Sequence, residues 1–286
     1  MDDAALYNGK RLDLRQKMAD IVAGMGSCDQ FAGLVSIRRF RDALDVSGIP
    51  GAQTLQEFLG KRDSNVPPPI ARVAFHDPFL VCYSSGTTGI PKAIVHSVGG
   101  ALINFAKEGR LHEDAGPDAV ALQYTTTGWI MYLASVTALT VGARVVLYDG
   151  SPFQPDLATF VRLAGDLRCT KLGVSPRWMH EFAKAGLSPR ELTDLSALRV
   201  VSSTGMVLSD QLFEWFYDRG FPAHVQLANI SGGTDIVRIS VDILISLFRF
   251  PLFLLYLGTY RFWFFVALIL KTFMIDRLAA SLSTIL

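Results

Sequence analysis

Nine residues from Ser84 to Lys92 read SSGTTGIPK and follow directly on the apolar run Phe79-Leu80-Val81-Cys82-Tyr83. Their types suit the handling of phosphate. Gly86 and Gly89 let backbone N–H groups approach phosphate oxygens closely, the hydroxyls of Ser85, Thr87 and Thr88 can donate to them, and Lys92 supplies a cation. The loop is not of the common kinase type, which ends in Gly-Lys-Ser/Thr with the hydroxyl on magnesium. Here Ile90-Pro91-Lys92-Ala93 puts proline before the lysine and alanine after it. An ordinary hydroxyl-rich turn has the same composition, so spacing alone leaves both readings open.

A loop of this kind needs a strand to deliver it. The run Phe79 to Tyr83, bounded by Asp77-Pro78, predicts a buried strand. Beyond it, strand and helix patterns alternate. Predicted strands cover 119–124, 143–148, 170–174, 198–201 and 223–228; predicted helices follow Gly100 and cover 129–139, 156–167, 177–185 and 209–219. That rhythm implies an α/β fold with a doubly wound parallel sheet. In one helix Leu157, Phe160, Val161, Ala164 and Leu167 recur on one face behind the start signal Pro155-Asp156. In another, Ser209 caps, Leu212, Phe213, Phe216 and Tyr217 form the stripe, and Gly220 ends it. Both stripes are expected to pack on the sheet. Residues 1–69 read as a lead-in, with a helix over 12–25, a second near 55–59 and a break at Pro67-Pro68-Pro69.

SSGTTGIPK resembles the phosphate loop of the adenylate-forming acyl-CoA synthetase superfamily. Four further stretches narrow the resemblance to its acetoacetyl-CoA synthetase (acetoacetate–CoA ligase) branch: PKAIVHSVGG (91–100), YTTTGWIMY (124–132), VLYDGSPF (146–153) and ISGGTDI (230–236). Weaker similarity reaches back to about Asn8 and stops abruptly at Ile236. The resemblance implies part of the large domain of such an enzyme, with ATP, Mg²⁺ and coenzyme A as its cofactors and acetoacetate as its acid. It assigns Ser84, Ser85, Gly86, Thr87, Thr88, Gly89 and Lys92 to the nucleotide, Lys92 and Thr234 to catalysis, and Thr127, Gly128 and Trp129 to the acyl pocket and its rim. Gly205, in Ser202-Ser203-Thr204-Gly205, lies in the segment leading to the adenine platform. Relatives continue there with a small polar residue and proline, whereas this chain has Met206-Val207. Gly233 and Thr234 fall in the third loop, where the threonine hydroxyl contacts the α-phosphate, and Asp235 matches the acidic residue that holds magnesium. A carboxylate suits that hard ion. His96 reads as a structural histidine beside the nucleotide stretch, and Cys82 as a side chain filling a buried strand.

The 286 residues carry a net charge of +1, and half of them are hydrophobic. That is enough for a sizeable core, and the absence of a basic block argues against nucleic-acid binding. Cys28, Cys82 and Cys169 have no paired or metal-like spacing, which fits reduced thiols and a cytoplasmic setting. The acidic start, Met1-Asp2-Asp3, does not resemble a secretory signal.

The stretch after Ile236 departs from the family. Between Phe250 and Leu270 stand 21 residues with one charge, Arg261, and 13 Leu, Ile, Phe or Val. Those 13 favour bilayer insertion by about −4 to −8 kcal/mol against about +3 for one central arginine. A transmembrane helix over 250–270 and membrane attachment are therefore one expectation for 237–286, against which Pro251 and Gly258 weigh; translated non-coding sequence is another. The resemblance also implies that the carboxy-terminal domain with its late catalytic lysine is missing, so the expectation is an incomplete ligase or a non-catalytic remnant.

Overall fold

The computed structural model describes residues 1–7, 9–42, 44–60, 70–84, 89–230 and 232. All of these fall in one compact unit, Met1–Ser240; the second, Val241–Leu286, lies outside the described residues, as does the predicted span 250–270. Among the described residues no helix is long and apolar enough to cross a membrane.

The amino-terminal part is more structured than the predicted lead-in. Strands β1 (Ala4–Tyr7) and β2 (Lys10–Asp13) form an antiparallel pair, followed by helix α1 (Arg15–Gly24). The predicted helix over 12–25 thus begins later, because Lys10 to Asp13 is used in pairing. Strands β3 (Leu34–Ser36) and β4 (Ala52–Thr54) run parallel, and α2 (Leu55–Gly60) starts at a reciprocal cap in which Thr54 Oγ1 accepts from Glu57 N while Glu57 Oε2 accepts from Thr54 N. Met18, Leu34, Val46 and Ile49 make a small core of their own. Buried Asp3 organises the turn above it, accepting the backbone N–H groups of Arg39 and Leu44. The Pro67–Pro69 break lies outside the described residues.

The predicted strand around Phe79 forms as β5 (Pro78–Ser84), but it does not enter the parallel sheet. It pairs antiparallel with β6 (Lys92–Ser97), in a two-stranded sheet of its own. Nor is it buried: Phe79, Val81 and Tyr83 are 49%, 49% and 67% exposed. Ser97 then caps α3 (Val98–Lys107), accepting from Gly100 N at 3.2 Å, and α3 packs on both strands of the hairpin, with Phe105 edge-on to Phe79.

The parallel sheet comprises β7 (Val120–Gln123), β8 (Arg144–Val146), β9 (Lys171–Val174), β10 (Val200–Ser203) and β11 (Gln226–Asn229), in the order β11-β10-β9-β7-β8. Helices α4 (Tyr132–Thr140), α5 (Leu157–Asp166), α6 (Pro176–Lys184), the short α7 (Pro189–Leu192) and α8 (Asp210–Trp215) connect them. Three of these starts, those of α5, α6 and α8, carry a side-chain cap. Asp156 accepts from Thr159 N at 2.8 Å, Ser175 from Trp178 N ahead of which Pro176 sits at the first helical position, and Ser209 from Leu212 N.

The sheet is covered on both faces, as the doubly wound reading predicts. Ala119, Ala121, Ala138, Val141 and Ala143 let α4 lie close on one face. Phe160, Trp178 and Phe182, in edge-on and tilted contact, and the stacked pair Phe216 and Phe221 fill the other, packed on Leu122, Leu172, Val201 and Leu227. Leu167, predicted on the α5 stripe, falls one residue past the helix and is exposed. The strand order reverses between β7 and β9, since β8 lies outward on one side and β9, β10 and β11 follow on the other. Ligands of open parallel sheets bind outside the strand carboxyl ends at such a switch point.

Candidate nucleotide and acid site

Two cavities open beyond the carboxyl ends of these strands, and Trp129 and Ile130 line both. The first, of about 460 Å³, is bounded by Thr204 to Leu208 after β10 and by Asn229, Ile230 and Gly232 after β11. The second, of about 560 Å³, is bounded by Leu80 to Ser84 of β5 on one side and by Thr127, Gly128, Tyr132 and Leu133 on the other.

The loop carrying Thr127, Gly128 and Trp129 is held by short-range bonds. Trp129 N donates to the Thr126 carbonyl and Tyr132 N to the Trp129 carbonyl, so the loop winds directly into α4. The Thr204-Gly205 loop meets it. Gly205 has φ +94°, a conformation that favours glycine, and a side chain built there would begin 3.4 Å from Trp129 Cη2. Glycine therefore leaves the indole one clear backbone face. Met206 and Val207, which depart from the relatives' pattern, stand on the wall of this first cavity and are strongly exposed.

On the hairpin, Ser84 is the last residue of β5 and Lys92 the first of β6, and the two face each other in register. The phosphate-loop ends are thereby brought together as adjacent strand partners. Gly89 adopts φ +125°. Ser85, Gly86, Thr87 and Thr88 lie outside the described residues, as do Gly233, Thr234 and Asp235. Ser84, Thr127, Gly128 and Trp129 thus share the second cavity, while Trp129 and Gly205 share the first, with Gly232 beside them.

Cys82 is not strand filling: it lines the second cavity, where burial raises its thiol pKa above the ordinary value. The sequence signal for this was the period-2 pattern of β5, which puts Leu80, Cys82 and Ser84 on one side of the strand. Asn229, at the end of β11, is a polar group on the first cavity that sequence reasoning missed; its sole signal was its place at a strand end. His96 is buried opposite Leu80 on β6, in keeping with a structural role.

The charged groups under the sheet lie at its other end. Lys171, at the start of β9, forms a buried ion pair with Glu113, and Arg199, just before β10, meets Asp118 at 2.6 Å. Among the described residues the two cavities are lined by hydroxyl, amide, apolar and aromatic groups.

This arrangement has known counterparts. The family model of the AMP-binding enzymes matches residues 28–239. The chain is similar to acetoacetyl-CoA synthetase of Gallus gallus, at 38% identity over 237 residues covering 82% of this chain and 35% of the relative. It is similar to the acetoacetyl-coenzyme A synthetase of Rhizobium meliloti (strain 1021), at 38% identity over 236 residues with the same shares covered. Among solved structures, the acetoacetyl-CoA synthetase from Streptomyces lividans superposes with a TM-score of 0.72 at 34% identity, covering 83% of this chain and 35% of that one. The chain spans about a third of the length of the curated relatives it matches.

Proposed function

Because the chain belongs to the AMP-binding enzyme family, we propose that its α/β core is the nucleotide- and acid-binding part of an acid–CoA ligase of the acetoacetyl-CoA synthetase type. The observation that carries this reading is the placing of Trp129 on the shared wall of two cavities, one bounded by the Gly205 loop and the other by the end of the phosphate-loop strand. Two reactants that must meet at one atom need two adjoining compartments with a common wall.

The first cavity takes the nucleotide. Gly205 and the Trp129 indole packed on it form one wall for the base, and Asn229 offers an amide with both donor and acceptor capacity. Ser84, on the second cavity, and Lys92, facing it on the hairpin, would bring a hydroxyl and an ammonium to phosphates that reach past the shared wall. The second cavity, with Leu80, Val81 and Leu133 among its walls and Thr127 at its polar side, suits a short acid such as acetoacetate. The carboxylate oxygen forms a bond to the α-phosphorus of ATP as the bond to pyrophosphate breaks; the thiol of coenzyme A then displaces AMP from the acyl-adenylate. Positioning and charge neutralisation supply most of such a barrier reduction. Lys92 holds the phosphates in place, and Thr234 follows from the resemblance as the α-phosphate contact.

Among the described residues no group of three His, Cys, Asp or Glu forms a metal cage. Magnesium would arrive with ATP and take one or two protein carboxylates, the part Asp235 would play. There the ion would neutralise phosphate charge. The apolar stretch beyond the family match contributes nothing to this reading.

The test is ATP binding by the purified full chain with Mg²⁺, beside Lys92→Ala and Asp235→Ala variants. Binding by the parent that weakens about ten- to hundredfold in Lys92→Ala, as loss of a charge-assisted phosphate contact implies, supports the proposal. Absence of binding by the parent sinks it.

A further inference from the structure

We propose that Gln123 is a positioning residue: its side chain bridges the sheet at the switch point and sets the spacing of the two loops that meet at Trp129. The consequence for nucleotide affinity rests on the function proposed above; the geometric role does not.

In the strand register Gln123 of β7 lies opposite Gly173 of β9, and Gly173 opposite Ser202 of β10. Partners in register across parallel strands present their side chains to the same face. The middle position of this row has no side chain, and Gln123 occupies the space. A Cβ on Gly173 would lie 1.8 Å from Gln123 Oε1 and 2.2 Å from its Cδ. Extended across the gap, the amide makes two contacts. Its Nε2 donates to the Tyr124 carbonyl at 3.1 Å, and its Oε1 accepts from Ser202 Oγ at 3.5 Å. Gln123 and Ser202 are both buried, 5% and 2% exposed, so each contact satisfies a polar group that water does not reach.

The row sits immediately beneath the loops. Thr125 follows two residues after Gln123, and Thr204 two residues after Ser202. Those loops touch again at the top, where Trp129 lies against Gly205. The amide bridge below and the indole–glycine contact above therefore define the width of the first cavity at two heights. An aliphatic residue at 123 would fill the gap equally well; the amide adds a bond that ties the ends of non-adjacent strands to one separation. Gln123 lines neither cavity and touches no reactant.

The test uses the full chain with 5-fluorotryptophan in place of tryptophan, the Trp129 resonance being assigned by Trp129→Phe, and compares the parent with Gln123→Leu, which retains volume over Gly173 and deletes the amide. The proposal expects the Trp129 fluorine resonance to shift or broaden while those of Trp178 and Trp215, buried or half-buried away from the bridge, stay in place. An unmoved Trp129 resonance in a folded Gln123→Leu protein overturns it. So does a shift of the Trp178 and Trp215 resonances along with it, which would mean ordinary loss of packing; the fourth tryptophan, Trp263, lies outside the described residues, and its resonance is set aside by assignment with Trp263→Phe. In the binding arm, affinity for ATP with Mg²⁺ is expected to fall about fivefold, the loss of roughly one net hydrogen bond. Ser202→Ala should produce a similar loss that does not add to that of Gln123→Leu; additive losses overturn the bridge. If the parent binds no ATP, the proposed function fails and the fluorine arm alone decides the bridge. Should Gln123→Leu not fold, Ser202→Ala with the same resonance readout decides it.

Discussion

The loops of the parallel sheet border both cavities and strand β5 of the hairpin borders the second, yet sheet and hairpin are built to different standards. Strand β5, PFLVCYS, is at least as apolar as β7, VALQ, or β10, VVSS, but β7 and β10 are buried at every position while Val81 and Tyr83 of β5 are half or more exposed. The difference lies in cover. Helices lie on both faces of the sheet, whereas among the described residues the hairpin has α3 as its main cover. Burial of a strand is thus a property of what packs on it, and half of this site rests on a tightly held frame while the other half rests on a lightly covered one.

Several substitutions would break or sharpen that contrast. Phe160, fully buried and ringed by Tyr124, Tyr148 and Trp178, should cost about 3–5 kcal/mol when replaced by alanine, read as a lower denaturation midpoint. A loss below 1 kcal/mol would mean that the sheet is no better packed than the hairpin. Gly173→Ala drives a methyl into the Gln123 amide and should cost about 1–3 kcal/mol through overpacking. Adding Gln123→Ala should recover most of that in the same melt, since the obstacle is gone.

The cysteines report on the two regions chemically. Cys169, before β9, is 1% exposed, and burial pushes its thiol up to about 11, partly offset by Arg144. Cys82 is only half-buried and lines a cavity. With iodoacetamide at neutral pH, Cys28 should react first, Cys82 slowly, and Cys169 only on unfolding. The sign of the pH effect follows: unfolded, the Cys169 thiol ionises near its ordinary 9.0, while folded it resists to about 11. Its contribution to stability is therefore complete below 9.0 and lost as pH rises towards 11. Cys169→Ala should flatten that alkaline decline in a stability–pH curve. The smallest effect is expected on the outer hairpin face, where Tyr83→Ser and Val95→Thr should each change stability by about 0.5 kcal/mol or less. A cost of several kcal/mol would show that another segment covers this face in solution.

Much of the frame was legible along the chain. The helical stripe through Phe160, Val161 and Ala164, the caps at Asp156 and Ser209, and the order of strands from 119 onward follow from local periodicity and end chemistry, which neighbouring residues dictate. The phosphate-loop motif was legible for the same reason, since its residue types act within nine positions. The partner of β5 was not. Pairing of Ser84 with Lys92 brings an antiparallel β6 where a parallel sheet was expected, and nothing in the apolar run of β5 distinguishes the two.

Ser84, Thr127, Trp129 and Gly205 were legible as candidates through the family resemblance of the motifs that carry them. That Trp129 closes two cavities at once, that Cys82 faces a void, and that Gln123 spans a glycine to reach Ser202 depend on strands brought together from 50 to 80 positions apart. Local sequence sets backbone preferences and side-chain chemistry through near neighbours; the empty space between elements, and the groups that border it, exist only once distant elements have packed.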